Sequence, residues 1–183
     1  MKNTLAPLVV SALALAGFTA FAQTPAPAPR PARPDCSAPE HHQFDFWAGS
    51  WTVYDQSGEV AGKNRIEPVL KGCVLLENWT GNGGMSGKSL NGYDRRAKVW
   101  RQTWIDDTGG VLLLSGGSRD GKMVMSGNAP GRDGATVTNR IAWERLGDGS
   151  VRQLWDMSRD GGKTWAIVFD GVYKKDAVKG SVP

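Results

Sequence analysis

Four Asp-Gly pairs, Asp120-Gly121, Asp133-Gly134, Asp148-Gly149 and Asp160-Gly161, punctuate the second half of the chain at short intervals. Such pairs suit two-residue hairpin turns, which need positive φ at their centre. Chain that turns back on itself this often has room only for short strands between turns. The intervening segments alternate apolar and polar residues, and further glycines (Gly58, Gly72, Gly83-Gly84, Gly92 and Gly109-Gly110) mark other turns or bulges. Strands are predicted at 60–69, 73–80, 88–93, 99–106, 111–118, 122–126, 136–145, 151–157 and 164–174. One more follows Trp51, which makes about ten. Regular spacing of this kind indicates an all-β fold. Consecutive hairpins give an antiparallel up-and-down meander, and closing it into a barrel removes its exposed edges.

The stretch Phe44-Asp45-Phe46-Trp47-Ala48-Gly49-Ser50-Trp51-Thr52-Val53-Tyr54-Asp55 stands at the head of this region. Its first half is aromatic and too short for an ordinary helix. Gly49 allows a tight turn, because it lacks Cβ. Trp51 and Val53 then alternate as in a strand. A large Trp two residues past a Gly, at the start of the first strand, can plug one end of a small barrel. Gly49-Ser50-Trp51 resembles the Gly-x-Trp motif of lipocalins and their calycin relatives.

Residues 1–22 read as a signal peptide: Lys2 is the positive start, 5–21 is apolar, and Ala20-Phe21-Ala22 fits a cleavage site. The run is too short and too small-residue-terminated for a membrane anchor. The mature protein is therefore expected to be periplasmic or secreted, with no transmembrane segment after cleavage. Residues 23–39 are rich in Pro and Ala, the composition of an extended tether, and 40–183 form the barrel domain. The formal charge of +4 is spread among alternating acidic and basic residues with no basic run, which argues against nucleic-acid binding. Cys36 and Cys73 are the two cysteines. In an exported chain a bridge between them is favoured over two unconnected thiols, and two cysteines do not make a metal site.

Further elements carry a broader resemblance. They are Phe44-Asp45-Phe46-Trp47-x-Gly49-x-Trp51, Asn64-Arg65-Ile66-Glu67, the run Gly72 to Trp79, Trp100-Arg101-Gln102-Thr103-Trp104 and Phe169-Asp170-Gly171-x-Tyr173. Together they resemble a bacterial, exported, lipocalin-like family known mainly as a domain of unknown function. The resemblance spans nearly all of the chain after Phe44. It implies a calycin-type β-barrel and supplies no catalytic residues or cofactor. In lipocalins a basic residue near the end of the last strand packs on the motif Trp. Lys174 or Lys175 occupies that place here, where lipocalins prefer Arg, which stacks better than Lys.

Two segments share Arg-Gln-x-Trp: Arg101-Gln102-Thr103-Trp104 and Arg152-Gln153-Leu154-Trp155. Residues two apart on a strand share a face, so each Gln accompanies its Trp and each Arg faces the other way. Trp is more often inside. Gln102, Trp104, Gln153 and Trp155 are therefore the first candidates for a ligand-binding lumen, and Glu77 and Trp79 join them. Plain core packing, with each Gln bonded locally, is the alternative, since small barrels are often filled by side chains. Gly49, Trp51 and Lys174 are assigned structural roles.

Other motifs are weaker. Gly87-Lys88-Ser89 has Asn82 where a phosphate loop needs its first Gly, with four residues between, and lacks the following helix. Residues 158–165, Ser-Arg-Asp-Gly-Gly-Lys-Thr-Trp, match an Asp box, read here as a hairpin held by Asp160 with Trp165 packed beneath. His41-His42, the two histidines, lie beside the tether, which leaves a nucleophile in the domain without a histidine base. Glu67, Glu77, Asp106, Asp156 and Asp170 are carboxylates on strands or at their ends. A pair across a lumen could do acid–base work, but pairing with Arg65, Arg101 and Arg152 is favoured. The chain is thus expected to bind a small hydrophobic or amphipathic molecule in a barrel lumen. An enzyme with a carboxylate site in that lumen, and a surface-interaction module with a filled barrel, are the alternatives.

Overall fold

A computed structural model describes residues 35–177. The expected signal peptide and residues 23–34 of the expected tether lie outside the described residues. Ten strands run in chain order: β1 (Gly49–Tyr54), β2 (Val60–Val69), β3 (Val74–Gly81), β4 (Ser86–Asp94), β5 (Val99–Asp106), β6 (Val111–Arg119), β7 (Lys122–Pro130), β8 (Thr136–Arg145), β9 (Val151–Ser158) and β10 (Ala166–Lys175). Each pairs antiparallel with its sequence neighbours, and β1 closes on β10 through Trp51–Lys175 and Val53–Tyr173. The fold is a closed up-and-down barrel. Short 3-10 turns occupy Pro39–His42, Asp45–Trp47 and Leu70–Gly72. Among the described residues no helix is long and apolar enough to cross a membrane.

The hairpin chemistry accounts for most boundaries. Gly121, Gly134, Gly149 and Gly161 all have positive φ, as their turns require. Several boundaries differ from expectation by one to four residues, two of them instructively. Strand β7 runs on past 126 to Pro130; there Gly127 packs so close to Leu113 that a Cβ would sit 2.0 Å from that residue's carbonyl oxygen. Strand β10 starts two residues late, at Ala166, because the Asp-box hairpin holds the preceding chain. Asp160 accepts bonds there from the backbone N–H groups of Lys163 and Thr164 and from the Thr164 hydroxyl. Those bonds, the Thr164 hydroxyl foremost, keep its carboxyl far below the usual range. Trp165 lies under the Arg140 guanidinium, 3.9 Å from ring centre to Cζ.

One end of the barrel is sealed by the aromatic stretch that precedes β1. Phe44, Trp47 and Trp51 are all fully buried. Phe44 stacks on Trp47 with centroids 4.8 Å apart and meets Trp100 and Trp143 edge-on. The Trp51 indole N–H donates to the Trp47 carbonyl at 2.9 Å, and the Trp100 indole N–H donates to the Glu40 carbonyl at 3.2 Å. Gly49 has φ of 142° and lies against the Trp51 ring, so its backbone and its lack of a side chain both serve this turn. Lys175, paired directly with Trp51, places its ammonium 5.3 Å from that ring. Lys174, the residue assigned that role from sequence, points the other way and lies 5.1 Å from the Tyr54 ring. The one-residue difference follows from strand alternation, which puts only every second residue on the Trp51 side. At the same end a Cys36–Cys73 disulfide ties the segment before Pro39 to the β2–β3 connection.

Trp51→Ala should lower the unfolding free energy by about 3–5 kcal/mol, as for other large-to-small core changes, read from urea unfolding. Replacing both cysteines by Ser opens a loop closed across a separation of 37 residues and should cost about 4 kcal/mol on a chain-entropy estimate. Mass measurement before and after reduction should show two newly alkylated thiols.

Candidate functional site

The inward faces of the strands form three layers. The lowest is the aromatic plug. The uppermost, toward the β3–β4, β5–β6 and β9–β10 loops, is a half-buried collar of Trp79, Trp104, Trp155 and Phe169. Between them lies a cavity of about 270 Å³, floored by Trp143 and Tyr173. Gradients along single strands show the layering: on β5, Trp100 is buried in the plug, Gln102 borders the cavity, and Trp104 is only half buried at the mouth.

The collar rings lie along the wall because glycines make space for them. A Cβ on Gly87 would sit 2.3 Å from the Trp104 ring. One on Gly62 would sit 2.7 Å from Trp79, and one on Gly171 would sit 2.4 Å from Phe169. Trp155 is pinned from behind by its indole N–H, which donates to Asn139 Oδ1 at 3.0 Å. The rings therefore present faces and edges to the lumen without crossing it.

The middle layer is polar on one side and apolar on the other. Leu112 of β6 and Ile141 of β8 form the apolar wall. Opposite them runs a chain of hydrogen bonds. Asn91 donates from Nδ2 to the Leu75 carbonyl and to Ser89 Oγ, which turns its Oδ1 toward Gln102 Nε2, 2.7 Å away. The Ser89 hydroxyl donates to Glu77 Oε2 at 2.5 Å, and Asn64 Nδ2 donates to Glu77 Oε1 at 2.7 Å. The Tyr173 hydroxyl and the Trp143 indole N–H both donate to Gln153 Oε1, at 2.5 and 3.0 Å. These contacts orient both glutamine amides. Among the described residues Gln102 keeps Oε1 as an uncommitted acceptor and Gln153 keeps Nε2 as an uncommitted donor, and both residues line the cavity.

Glu77 is buried, and removal from water pushes its carboxyl above the ordinary glutamate range despite the bonds from Ser89 and Asn64. Burial, with the nearby Glu77 charge, also pushes the Tyr173 phenol up. Asn64 Oδ1 is buried without a partner beside this group.

All six residues singled out from sequence, Gln102, Trp104, Gln153, Trp155, Glu77 and Trp79, line this one cavity. Arg101 and Arg152 face outward, where Arg101 meets Asp94 at 3.0 Å and Arg152 grips both oxygens of Asp170. The Arg152 hydrogen bond holds the Asp170 carboxyl below the usual range. The other carboxylates do not border the cavity. Asp156 is held by Arg140, Glu67 by Arg65, and Asp106 caps its own turn through Thr108 and Gly110. Glu77 is the one carboxylate among the described residues bordering the cavity. His41 is buried while His42 is exposed and bonded to Asp45, so the two histidines point apart.

Sequence reading missed Trp143, Tyr173, Asn64, Ser89 and Asn91. Tyr173 sits two residues past Gly171 on the face of Phe169, a signal available in the pattern. Ser89 and Asn91 were hidden, because the rule that apolar residues go inside selects Leu90 between them. Leu90 is 54% exposed, whereas Ser89 and Asn91 are almost fully buried.

Comparison of the sequence with protein-family models finds no match, and comparison with curated proteins finds none either.

Glu77 should leave a mark on stability. Its pKa is higher in the folded chain than in the unfolded one. Between those two values the folded state holds more protons, so stability falls as pH rises. The contribution is complete below the unfolded value, about 4.3, and is lost as pH rises through the folded value. Glu77→Gln stays neutral. The difference in urea midpoint, variant minus wild type, should therefore increase from pH 4 to pH 8; a flat difference would mean that Glu77 has an ordinary pKa.

Proposed function

We propose that the protein is an exported, lipocalin-like binding protein that takes a small, partly apolar ligand into its lumen. The observation that carries this reading is the cavity with its two uncommitted amide ends, Gln102 Oε1 and Gln153 Nε2, set among aromatic rings. Binding sites of this kind are mostly apolar, with a few placed polar groups that fix orientation. A cavity of about 150 Å³ already holds benzene, so one of about 270 Å³ has room for a substituted ring. The Cys36–Cys73 bridge supports export, since disulfides persist in oxidising compartments. Binding is favoured over acid–base catalysis because, among the described residues, no second carboxylate borders the cavity beside Glu77.

Titration with a small aromatic probe such as 4-methylphenol, followed through tryptophan emission, should give saturable 1:1 binding. Trp104→Ala should weaken that binding by about tenfold, as expected for loss of a buried aromatic contact, whereas Arg101→Ala on the outer face should leave it unchanged. Equal effects of the two changes, or no saturable binding, would overturn the reading.

A further inference from the structure

We infer that the lumen selects organic cations: an ammonium group carried on an apolar body, held against the aromatic rings with Glu77 as its counter-charge. The inference rests on the binding reading above and narrows it to a ligand class.

Three observations converge. First, the described residues that border the cavity include one acid, Glu77, and no Lys, Arg or His. The barrel's arginines nearby in sequence, Arg101, Arg140 and Arg152, are all spent on outer-face carboxylates. An anion in the lumen would meet a carboxyl group and the negative faces of aromatic rings, with no cation to offset them. Second, the rings surround the space: Trp79, Trp104, Trp155 and Phe169 at the mouth, Trp143 and Tyr173 on the floor. A desolvated cation over such faces is attracted by their quadrupoles, and cages of this composition suit ammonium groups. Third, among the described residues Glu77 accepts two hydrogen bonds, one at each oxygen, although a carboxylate has about four acceptor positions. A buried carboxylate without a charge partner is costly. A ligand cation supplies the partner that the described residues do not.

The same geometry links binding to protons. Facing Glu77 are Asn64 of β2 and Ser89 of β4, both neutral, and Tyr173 of β10, the one other titratable group bordering the cavity. Burial favours the protonated acid when the lumen holds no charge, and a bound cation favours the carboxylate. Binding of a permanently charged cation therefore releases a proton and strengthens as pH rises.

The test uses three ligands of nearly one shape: benzyltrimethylammonium, its uncharged carbon counterpart neopentylbenzene, and benzylsulfonate. Affinities are measured by calorimetry or tryptophan emission between pH 5 and pH 8. The expected result is that the ammonium ion binds more tightly as pH rises, that the hydrocarbon binds independently of pH, and that the sulfonate does not bind. Glu77→Gln should weaken the ammonium ion by about tenfold or more, the scale of a desolvated cation contact, abolish its pH dependence, and leave the hydrocarbon unchanged. Retained hydrocarbon binding also reports that the variant cavity is intact. If that binding is lost as well, Trp155→Leu decides: it should weaken the ammonium ion more than the hydrocarbon. Hydrocarbon binding without ammonium binding, or equal effects of these variants on both, overturns the cation inference and leaves the binding reading standing. Failure of all three ligands overturns both.

Discussion

The contact between Trp51 and the aromatic turn before it is the constraint on which the barrel depends. Eight strands give an interior that side chains can just fill, and the diameter grows with strand number. Ten strands enclose more space than the strand side chains alone can fill. Here the chain supplies the missing material from its own N-terminal side, as Phe44 and Trp47 fold under β1, stack on each other and pack against Trp100 and Trp143. The plug is positioned by covalent continuity, by the Trp51–Trp47 hydrogen bond and by the disulfide at the same end. With one end solid, the other can remain hollow without loss of the core that stabilises the fold.

The hollow part is expensive, and its composition shows where the cost is met. Burying Asn64, Glu77, Ser89, Asn91 and Gln102 in one interior removes many polar groups from water. Nearly every such atom is paired within the network, and low dielectric makes those bonds strong. The residual mismatch is local: an acid pushed toward its neutral form and an unpartnered amide oxygen on Asn64 beside it. A core meant only for stability would be better served by apolar side chains in these positions. The strain collects where the lumen is open.

Much of this is legible in the sequence. Turn chemistry and alternation locate all ten strands, three of them with matching bounds (Val60–Val69, Val99–Asp106 and Thr136–Arg145). The repeated Arg-Gln-x-Trp places Gln102, Trp104, Gln153 and Trp155 on the inner face because strand periodicity is two and Trp favours burial. Where reading failed, a contact remote in sequence had overridden a local preference. Lys175 rather than Lys174 meets Trp51 because register across the closing β1–β10 pair decides it. Leu90 is outside because Ser89 and Asn91 are claimed by Glu77, Leu75 and Gln102 on adjacent strands.

The sequence by itself determined the strand number, the hairpin order and the two faces of β5 and β9, since these follow from backbone conformation and side-chain alternation within a few residues. Only the tertiary structure decided that the lumen is open at one end, that Glu77 is the one carboxylate among the described residues bordering it, and that the glycines at 62, 87 and 171 hold rings flat against the wall. Those outcomes depend on which residues become neighbours across the sheet and across the closed ring. That is set by register and by barrel closure, and no local pattern carries it.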